Sequence, residues 1–437
     1  MRFSLTYPTV MLDPPPELLT ADGLGSIAAA AEEAGFAGIG FSEHPAPPQT
    51  WRLDGAGHDE LDPFLALTVA ATATAGMRLL TFLTVLPYRN PFLLAKTTAT
   101  LDRLSGGRLT LGVGTGYLEA EFAALGVDYA ERNALFDEAL EVLRLAWTGE
   151  PVDRSGRHST ADGVVSRPTP VAAPRPPVWI GGNSRLTRRR VAALADGWAP
   201  VPTNPEQVQR RRTAQLESLD QLAGWIRELQ EEREQLGRLA PADVLYMVTD
   251  ADPLADPERY LESVQRLADI GVTWLSLGVR GSTVAEVTDR LAEVGERVLA
   301  RVAAPPPPPC TDADNRAVAG LHHAYADALD RREFDRLDRV FTPDVVAEYP
   351  GGRRLDGLPA LIAFMRESHA DVSRTVHRVV DVELTVDGDT ATCTAAKRND
   401  LHRDGDDGPT VVTGRYTDEL VRTSEGWRIR SRRSTLA

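Results

Sequence analysis

Cysteine and lysine are both scarce in this chain of 437 residues. It has two cysteines, Cys310 and Cys393, and two lysines, Lys96 and Lys397, against 46 arginines. A disulfide framework or a cysteine-ligated zinc site needs several cysteines at set spacings, so both are excluded and no metal site is predicted. The excess of arginine over lysine, with abundant alanine, is typical of a GC-rich genome.

Long apolar runs and an excess of basic charge are also absent. No stretch approaches the roughly 18 consecutive apolar residues that a membrane helix needs. The first ten residues, Met1–Val10, lack the basic start and apolar core of a secretion signal. The net charge is −15, whereas binding to nucleic-acid phosphates needs a basic surplus. We therefore expect a cytoplasmic protein with neither a membrane nor a nucleic-acid partner.

The length and the apolar content are sufficient for more than one folded domain. At roughly 150 residues per domain, two or three domains are expected, and the hydrophobic fraction of 42% can supply their cores. Five consecutive prolines, Pro305–Pro309, mark a boundary, because such a run forms an extended and semi-rigid spacer. We predict domains over residues 1–304 and 310–437, joined by a linker over residues 305–309.

In the first domain, short apolar runs alternate with helical patterns. This alternation predicts parallel strands with right-handed crossovers, and eight units in about 300 residues predict an α/β TIM barrel. A doubly wound open sheet is the alternative. Strands are predicted at Phe3–Thr6, Gly38–Phe41, Leu79–Val85, Leu109–Val113, Val178–Ile180, Gly197–Val201, Val244–Val248 and Trp274–Leu277. Apolar spacing of three and four residues predicts helices such as Gly25–Ala34, Phe92–Arg103, Ala130–Trp147 and Arg185–Ala195.

The second domain begins with helical patterns and continues with strand patterns. Helices are predicted over Asn315–Asp330 and around Phe334–Phe341. Strands are predicted at Val379–Val386, Thr390–Lys397, Thr410–Val421 and Trp427–Ser431. Helices followed by antiparallel strands predict an α+β domain, in which a curved sheet wraps around helices to form a cone with an apolar interior.

Candidate site residues in the first domain follow the predicted strands, because a TIM barrel binds its ligands at the carboxyl ends of the strands. Glu43 and His44 follow the second strand, Gly114–Tyr117 end the fourth, and Gly181–Ser184 end the fifth. Glycines let the backbone approach an anion, and the helix that follows offers unpaired N–H groups, so Gly181–Ser184 is a candidate phosphate site. The alternatives are an ordinary helix cap, and a structural pair of Glu43 with His44.

Six segments of the first domain share a pattern with a known superfamily. They are Pro87–Pro91, Leu94–Lys96, Thr100–Arg108, Gly112–Tyr117, Pro176–Ser184 and Asp196–Trp198. Together they resemble the luciferase-like monooxygenase superfamily over about residues 1–300. They are most similar to its branch that uses the deazaflavin coenzyme F420 rather than FMN.

The resemblance implies which positions contact the cofactor. His44 matches a histidine beside the deazaflavin ring and the substrate, and Thr81–Leu83 match a bulge with a non-prolyl cis peptide behind the ring. Gly114–Gly116 match the loop at the polar edge of the ring, and Gly181–Ser184 match the phosphate contact. The implied cofactor-binding residues are Thr81, Phe82, Leu83, Gly114, Thr115, Gly116, Gly181, Gly182, Asn183 and Ser184.

Hydride chemistry on a deazaflavin requires the protein to supply orientation, a dry pocket and a proton. His44 is the first candidate proton donor or acceptor, because an unperturbed imidazole has a pKa of about 6.5. Glu43 is predicted to orient the imidazole or to be the acid itself. Glu119 and Glu121 are second candidates, with helix capping as the alternative. Three aromatic residues either line the pocket or pack in the core: Tyr7, Trp51 and Trp198.

The second domain has its own resemblance. Five segments share a pattern with a known superfamily: Tyr325–Asp330, Phe334–Leu337, Phe341–Asp344, Gly414–Leu420 and Gly426–Ile429. They resemble the SnoaL-like superfamily over about residues 313–433. This cone-shaped fold also houses scytalone dehydratase and ketosteroid isomerase, and it hosts enzymes and inert modules alike.

Matched against the dehydratase pattern, Asp330, Tyr349 and His377 fall on pocket residues, and His402 aligns loosely with a second histidine. Leu329 stands where that enzyme has another tyrosine, which argues against dehydratase activity. An Asp–His pair in an apolar cone could move a proton next to a carbonyl. The alternatives are that Asp330 caps a helix above surface histidines, and that the domain binds a ligand or holds a dimer.

Taken together, the sequence predicts an F420-dependent oxidoreductase that transfers a hydride to or from a small organic substrate. The fused domain is predicted to bind that substrate, to form a homodimer, or to carry out a proton transfer or dehydration. The fusion itself indicates natural-product metabolism by association. The alternatives are an FMN-dependent monooxygenase and a non-catalytic ligand-binding scaffold.

Overall fold

A computed structural model of the chain describes residues 1–9, 11–53, 57–203, 208, 213–238, 240–248, 252–302, 312–387, 389–403, 409–423 and 426–436. The predicted linker 305–309 lies outside these residues. By its internal contacts the chain divides into two units, Met1–Leu236 with Pro241–Pro305, and Gly237–Ala240 with Pro306–Ala437. No helix in the described ranges is long and apolar enough to cross a membrane.

Eight parallel strands close into a barrel in the first unit. They are β1 Arg2–Thr6, β2 Gly38–Phe41, β3 Arg78–Thr81, β4 Leu109–Gly114, β5 Val178–Gly181, β6 Gly197–Ala199, β7 Asp243–Met247 and β8 Trp274–Gly278. Their order is β3-β2-β1-β8-β7-β6-β5-β4, and β3 pairs back with β4 to close the ring. The predicted TIM barrel is confirmed, and the open-sheet alternative is wrong.

Helices connect these strands and cover the outside of the barrel. They are α1 Ala21–Glu33, α2 Gln49–Leu53, α3 Pro63–Ala73, α4 Pro91–Leu104, α5 Glu119–Ala124, α6 Arg132–Trp147, α7 Arg185–Leu194, α8 Leu219–Gln235, α9 Pro257–Asp269 and α10 Val284–Arg297. Asp62 and Asn90 cap α3 and α4 with their side chains, and each is followed by a proline in the first helical position. These are standard helix-start signals. A small antiparallel hairpin, Val152–Ser155 with Thr160–Val164, precedes β5.

Side chains from five strands fill the interior of the barrel. This inner cluster consists of Leu80, Trp179, Ala199, Leu245 and Trp274, all buried. The two tryptophan rings meet edge to face, with their centroids 5.4 Å apart. Phe82 and Leu83 follow β3 directly and pack on this cluster. They therefore cover the filled interior at the carboxyl end of the barrel.

The predicted strand Leu79–Val85 is interrupted at this point. It ends at Thr81 and resumes as Thr84–Val85, and a non-prolyl cis peptide bond joins Phe82 to Leu83 between the two pieces. The cis bond lies within the segment where the family resemblance places one.

Leu83 fits against glycines of the two neighbouring strands. A Cβ atom added at Gly181 would lie 2.1 Å from Cδ1 of Leu83, and one added at Gly114 would lie 3.4 Å from the same atom. At Gly112 an added Cβ would lie 2.1 Å from the carbonyl oxygen of Thr81. The glycines of β4 and β5 thus leave the space that the residues after β3 occupy.

Gly181→Ala should force the Leu83 side chain to move. Adding a methyl group to a packed site destabilises by roughly 1–3 kcal/mol, which lowers the melting temperature by several degrees. Gly278→Ala is the matched control, because Gly278 also ends a barrel strand and an added Cβ there meets open space. Thermal unfolding of both variants checks this prediction, and equal melting temperatures would contradict the tight packing.

Six strands form one sheet in the second unit. They are β9 Phe341–Tyr349, β10 Arg353–Asp356, β11 Arg374–Asp387, β12 Thr390–His402, β13 Thr410–Thr423 and β14 Gly426–Leu436, in the order β10-β9-β14-β13-β12-β11. Two helices accompany them, α11 Asp312–Asp330 and α12 Leu358–Ser368. Register shifts within the β11–β12 and β13–β14 pairs bend the long strands. The α+β fold class is confirmed.

Two details of this unit differ from the prediction. The predicted helix Phe334–Phe341 is a short 3₁₀ helix that ends at Arg339, and Phe341 already belongs to β9. The sheet is mixed rather than antiparallel, because β9 runs parallel to β14. The sequence pattern missed β9 since it contains Pro343, and a proline within a strand pattern argues against a strand.

A buried ion pair lies on the inner face of this sheet. The guanidinium of Arg432 donates to both carboxylate oxygens of Asp418, at 2.8 and 2.7 Å, and both side chains are fully buried. The rings of Tyr325 and Tyr416 pack over the guanidinium at 4.4 and 4.1 Å. His322 completes the cluster, with its Nδ1 3.3 Å from a nitrogen of Arg432. Pairing is what makes two buried charges tolerable here.

Burial lowers the pKa of His322 to about 4. Between pH 6.5 and pH 4 the unfolded chain gains a proton at this residue that the folded unit does not take up. The second unit should therefore lose stability as the pH falls through this window, by up to about 3 kcal/mol. His322→Gln should flatten that pH dependence, whereas His323→Gln, a change at the exposed neighbour, should keep it. Calorimetry of the full chain at several pH values measures this, and identical slopes for the two variants would refute it.

Candidate active site

His44 lies just after β2, at the carboxyl end of the barrel, and is held by a buried carboxylate. Its Nδ1 is 3.3 Å from Oε2 of Glu121, an oxygen that also accepts the hydroxyl hydrogen bond of Tyr88 at 2.9 Å. The other oxygen of Glu121 accepts the N–H of Ala46 at 3.2 Å. The Glu121 side chain is 1% exposed and that of His44 is 12% exposed. Glu121, on the short helix α5, therefore fixes the orientation of the imidazole.

Glu43 has a different role from the one expected of it. Its carboxylate accepts the N–H of Val85 at 2.7 Å and Nε of Arg89 at 2.6 Å, and Arg89 also donates to Asp62 at 2.7 Å. Burial raises the pKa of Glu43, and the charge of Arg89 opposes that shift. Glu43 thus anchors the segment after β3. The carboxylate beside His44 is Glu121, which the sequence ranked second, while Glu119 is exposed at the start of the same helix.

Aromatic rings surround the imidazole of His44. The ring of Trp51 lies 4.5 Å away between centroids, and that of Tyr117 meets it edge-on at 5.9 Å. Of the three aromatic residues proposed from the sequence, only Trp51 contacts His44. Tyr7 and Trp198 are buried core residues, and each donates its polar hydrogen to a backbone carbonyl.

The sequence analysis missed His58. Its ring lies 5.4 Å from that of His44 and 4.8 Å from that of Trp51, and its Nε2 is 2.7 Å from Oε1 of Glu60. His58 follows no strand, so a search restricted to strand ends does not find it. The available signal was the length of the connection between β2 and α3, because long barrel loops concentrate functional residues.

The segments assigned to the cofactor ring meet at this end of the barrel. Leu83 contacts both Gly114 and Gly181, so the ends of β3, β4 and β5 form one continuous surface. Gly116 adopts a φ of +75°, and a Cβ there would collide with neighbouring side chains at 2.8 Å. Thr81 is fully buried, and its hydroxyl donates to a carbonyl of β4 at 2.7 Å. Thr81 therefore supports this surface from below, and it does not line it.

The loop after β5 uses most of its polar groups internally. The N–H of Gly182 donates to the carbonyl of Ala199 at 3.0 Å. Asn183 is fully buried, and its side-chain amide donates to the carbonyls of Val201 and Ala214 at 2.8 and 3.0 Å. These contacts correct the expectation that the whole run Gly181–Ser184 faces a phosphate: Gly182 and Asn183 hold the loop together.

The start of α7 remains a suitable place for an anion. The Ser184 hydroxyl accepts the N–H of Thr187 at 3.0 Å and so caps the helix. The N–H groups of Arg185 and Leu186 are among those that a helix leaves without an intrahelical acceptor. The first turn contains no acidic residue, although acids are usually favoured there. A helix start that is basic rather than acidic fits a phosphate group.

In the second unit the structure brings Asp330 and His377 together. Asp330 ends α11, and its carboxylate lies 2.6 Å from Nδ1 of His377, while it also accepts the hydroxyl of Thr375 at 2.9 Å. The His377 side chain is 3% exposed. The alternative of a surface histidine is therefore wrong, and the pair lies on the inner side of the sheet.

The other residues matched to the dehydratase pattern lie apart from this pair. The hydroxyl of Tyr349 is 3.3 Å from that of Tyr325, so its partner is another tyrosine. Leu329 is buried in the core of the unit. His402 ends β12, and its backbone carbonyl accepts the N–H of Ser373 at 2.8 Å.

Each of the two parts of the chain matches a known protein family. The sequence profile of the family described as luciferase-like monooxygenase matches residues 1–246, and that of the SnoaL-like domain matches residues 312–433. An uncharacterized protein of Mycobacterium tuberculosis is 28% identical over 265 residues, which cover 58% of this chain and 84% of that protein. An F420-dependent hydroxymycolic acid dehydrogenase of the same organism is 32% identical over 185 residues, covering 42% of this chain and 49% of that protein.

Solved structures show the same barrel. An F420-dependent secondary alcohol dehydrogenase superimposes with a TM-score of 0.53 at 18% identity, over 69% of this chain and 99% of that one. The oxygenating constituent of the 3,6-diketocamphane monooxygenase of Pseudomonas putida, in complex with FMN, gives 0.52 at 18% identity over 70% and 99%. At these identities the likeness concerns the fold alone. On the match of its sequence profile to more than half of the residues, this chain belongs to the luciferase-like monooxygenase family and carries a SnoaL-like domain after its barrel.

Proposed function

We propose that this protein is an F420-dependent oxidoreductase that transfers a hydride to or from a small organic molecule at the carboxyl end of its barrel. The observation that carries the proposal is the imidazole of His44, fixed by Glu121 at the mouth of the barrel. It lies on the same rim as the surface that Leu83 forms with the glycines of β4 and β5. The similarity to an F420-dependent dehydrogenase supports the choice of cofactor.

The residues on this rim fit a deazaflavin nucleotide. Phe82 and Leu83 offer an apolar surface for the ring, Gly114–Gly116 offer backbone groups at its edge, and the start of α7 with Arg185 offers an anion site. When bound, the reduced deazaflavin supplies a hydride. The chain itself must supply the proton, the orientation and the exclusion of water.

The proton is assigned to Nε2 of His44. Nδ1 faces Glu121, so Nε2 is the nitrogen left to give a proton to the substrate or to take one from it. Burial, reinforced by the charge of Glu121, raises the pKa of Tyr88. Its hydroxyl therefore stays protonated and keeps donating to the carboxylate. A carboxylate held in this way fixes the orientation of the His44 imidazole, which a proton-transfer residue requires.

For the second unit we propose substrate binding or a proton transfer by the Asp330–His377 pair. The 2.6 Å contact inside the sheet supports proton transfer, because a carboxylate that orients a buried imidazole is the usual arrangement of a general base. Holding a homodimer together remains the other proposal for this unit.

The choice of cofactor is tested by fluorescence titration of the full chain with F420 and with FMN. We expect F420 to bind and FMN to bind far more weakly. Arg185→Glu should weaken F420 binding roughly tenfold, since it places a negative charge at the anion site. Arg189→Glu is the matched control, because Arg189 is exposed on α7 one turn further along and should have little effect. Tighter binding of FMN, with oxygen consumed during turnover, would instead establish a flavin-dependent monooxygenase.

The role of His44 is tested with reduced F420 and a panel of enones, ketones and imines. His44→Ala should lower turnover by about 10²–10⁴-fold while changing cofactor affinity little, as expected for a proton-transfer residue. Glu121→Gln should also lower turnover, because an amide has one acceptor oxygen in place of two and no longer holds the imidazole, Tyr88 and Ala46 together. Glu119→Gln, a change at the exposed residue on the same helix, is the control. Wild-type turnover in the Glu121 variant would remove that carboxylate from the proposed site.

A further inference from the structure

One of the two lysines of the chain lies inside the second unit. Lys397 is 6% exposed and sits on the inner face of β12. Its Nζ lies 2.5 Å from the hydroxyl oxygen of Ser434 and 4.9 Å from the centroid of the Tyr416 ring. Gly414, its partner on the next strand, makes room for it, since an added Cβ there would lie 3.0 Å from Cε of Lys397. A long basic side chain is therefore packed where apolar residues are usual.

The charges around this amine do not balance it. Both carboxylate oxygens of Asp418 accept hydrogen bonds from Arg432, so the charge of this buried carboxylate is already balanced. Within the described ranges no carboxylate forms an ion pair with Lys397. One ion pair and one extra amine thus share the same interior, and a protonated amine next to a fixed guanidinium is unfavourable.

We propose that Lys397 is a nucleophilic amine that captures an aldehyde or a ketone inside the second unit. The lone pair of Nζ forms a bond to the carbonyl carbon, the C–O bond then breaks, and water leaves as an imine forms. No oxidant or reductant is needed. Lysines become nucleophilic in this way when they are desolvated or placed beside another cation, and Lys397 meets both conditions.

The electrostatic state of the amine supports this proposal. Burial, reinforced by the charge of Arg432, lowers the pKa of Lys397 to about 8. An amine with that pKa is neutral in roughly a quarter of the molecules at pH 7.5, against about one in a thousand for an ordinary lysine. The titratable and charged groups on the inner sides of the surrounding elements include His322, Tyr325, Tyr349, His377, Cys393, Tyr416, Asp418 and Arg432.

His377 lies on the same face of the sheet as Lys397, on the neighbouring strand. His377 pairs with Asn399 across β11 and β12, and Lys397 is two residues before Asn399. Diagonal neighbours of this kind lie about 7–8 Å apart. The Lys397 side chain extends the other way, across β13 to Ser434 on β14, so His377 takes no part in the proposed step. This inference does not depend on the cofactor of the barrel.

The scarcity of lysine makes the test direct. The full chain is incubated at pH 7.5 with propanal and cyanoborohydride, which reduces an imine to a stable propyl amine. The modification of the two lysine peptides is then followed by mass spectrometry. Lys96 is the internal reference, because its Nζ contacts the carbonyl of Arg167 on the first unit.

We expect Lys397 to be propylated roughly tenfold faster than Lys96 or more, with a rate that reaches half its maximum near pH 8. Lys96→Arg should leave the labelling of Lys397 unchanged. Lys397→Met should abolish labelling at that position without adding a buried charge, and unchanged melting would show that the unit remains folded. Equal or slower labelling of Lys397 would overturn the proposal and leave the lysine a structural partner of Ser434.

Discussion

The pairing of β3 with β4 is the constraint on which the candidate active site depends. It closes eight parallel strands into a ring, so that every strand delivers its carboxyl end to the same rim. Leu83 and Gly181 are far apart in the chain and lie against each other because of this closure, and His44 stands on the same rim. The glycines of β4 and β5 then allow the residues after β3 to pack directly over the filled interior. The surface offered to a cofactor is therefore a consequence of barrel closure and of glycines, which have no side chain, at the ends of β4 and β5.

The two buried carboxylates on this rim, Glu43 and Glu121, differ in the partner that each one faces. Glu43 faces Arg89, a guanidinium that stays charged at any physiological pH, so this pair can hold a segment but cannot exchange a proton. Glu121 faces an imidazole and a phenol, and an imidazole can give and take a proton where a guanidinium cannot. The same carboxylate chemistry thus serves as an anchor in one place and as support for proton transfer in the other. The partner of each carboxylate determines which of these two roles it has.

The sequence predicts the fold better than it predicts these partners. Alternating apolar runs and helical patterns suffice for the eight barrel strands, because burial and periodicity are properties of neighbouring residues. Glu43 precedes His44 in the chain, but its carboxylate contacts Val85 and Arg89, so adjacency in the sequence did not identify the carboxylate beside the imidazole. Glu121 is 77 positions away and comes close only through the fold. Likewise, no local sequence pattern connects the polar groups of Gly182 and Asn183 with their acceptors, which lie on other segments of the chain.

On the inner face of the second unit, two buried basic side chains also differ in the partner that each one has. Arg432 has a carboxylate and keeps its charge, whereas Lys397 lies close by with a serine hydroxyl. An arginine at position 397 would place two permanent charges in one apolar interior, because guanidinium does not deprotonate. A lysine can lose its proton and become neutral, and a neutral amine is a nucleophile. Of the 48 lysine and arginine residues of the chain 46 are arginine, and one of the two lysines stands at this buried position.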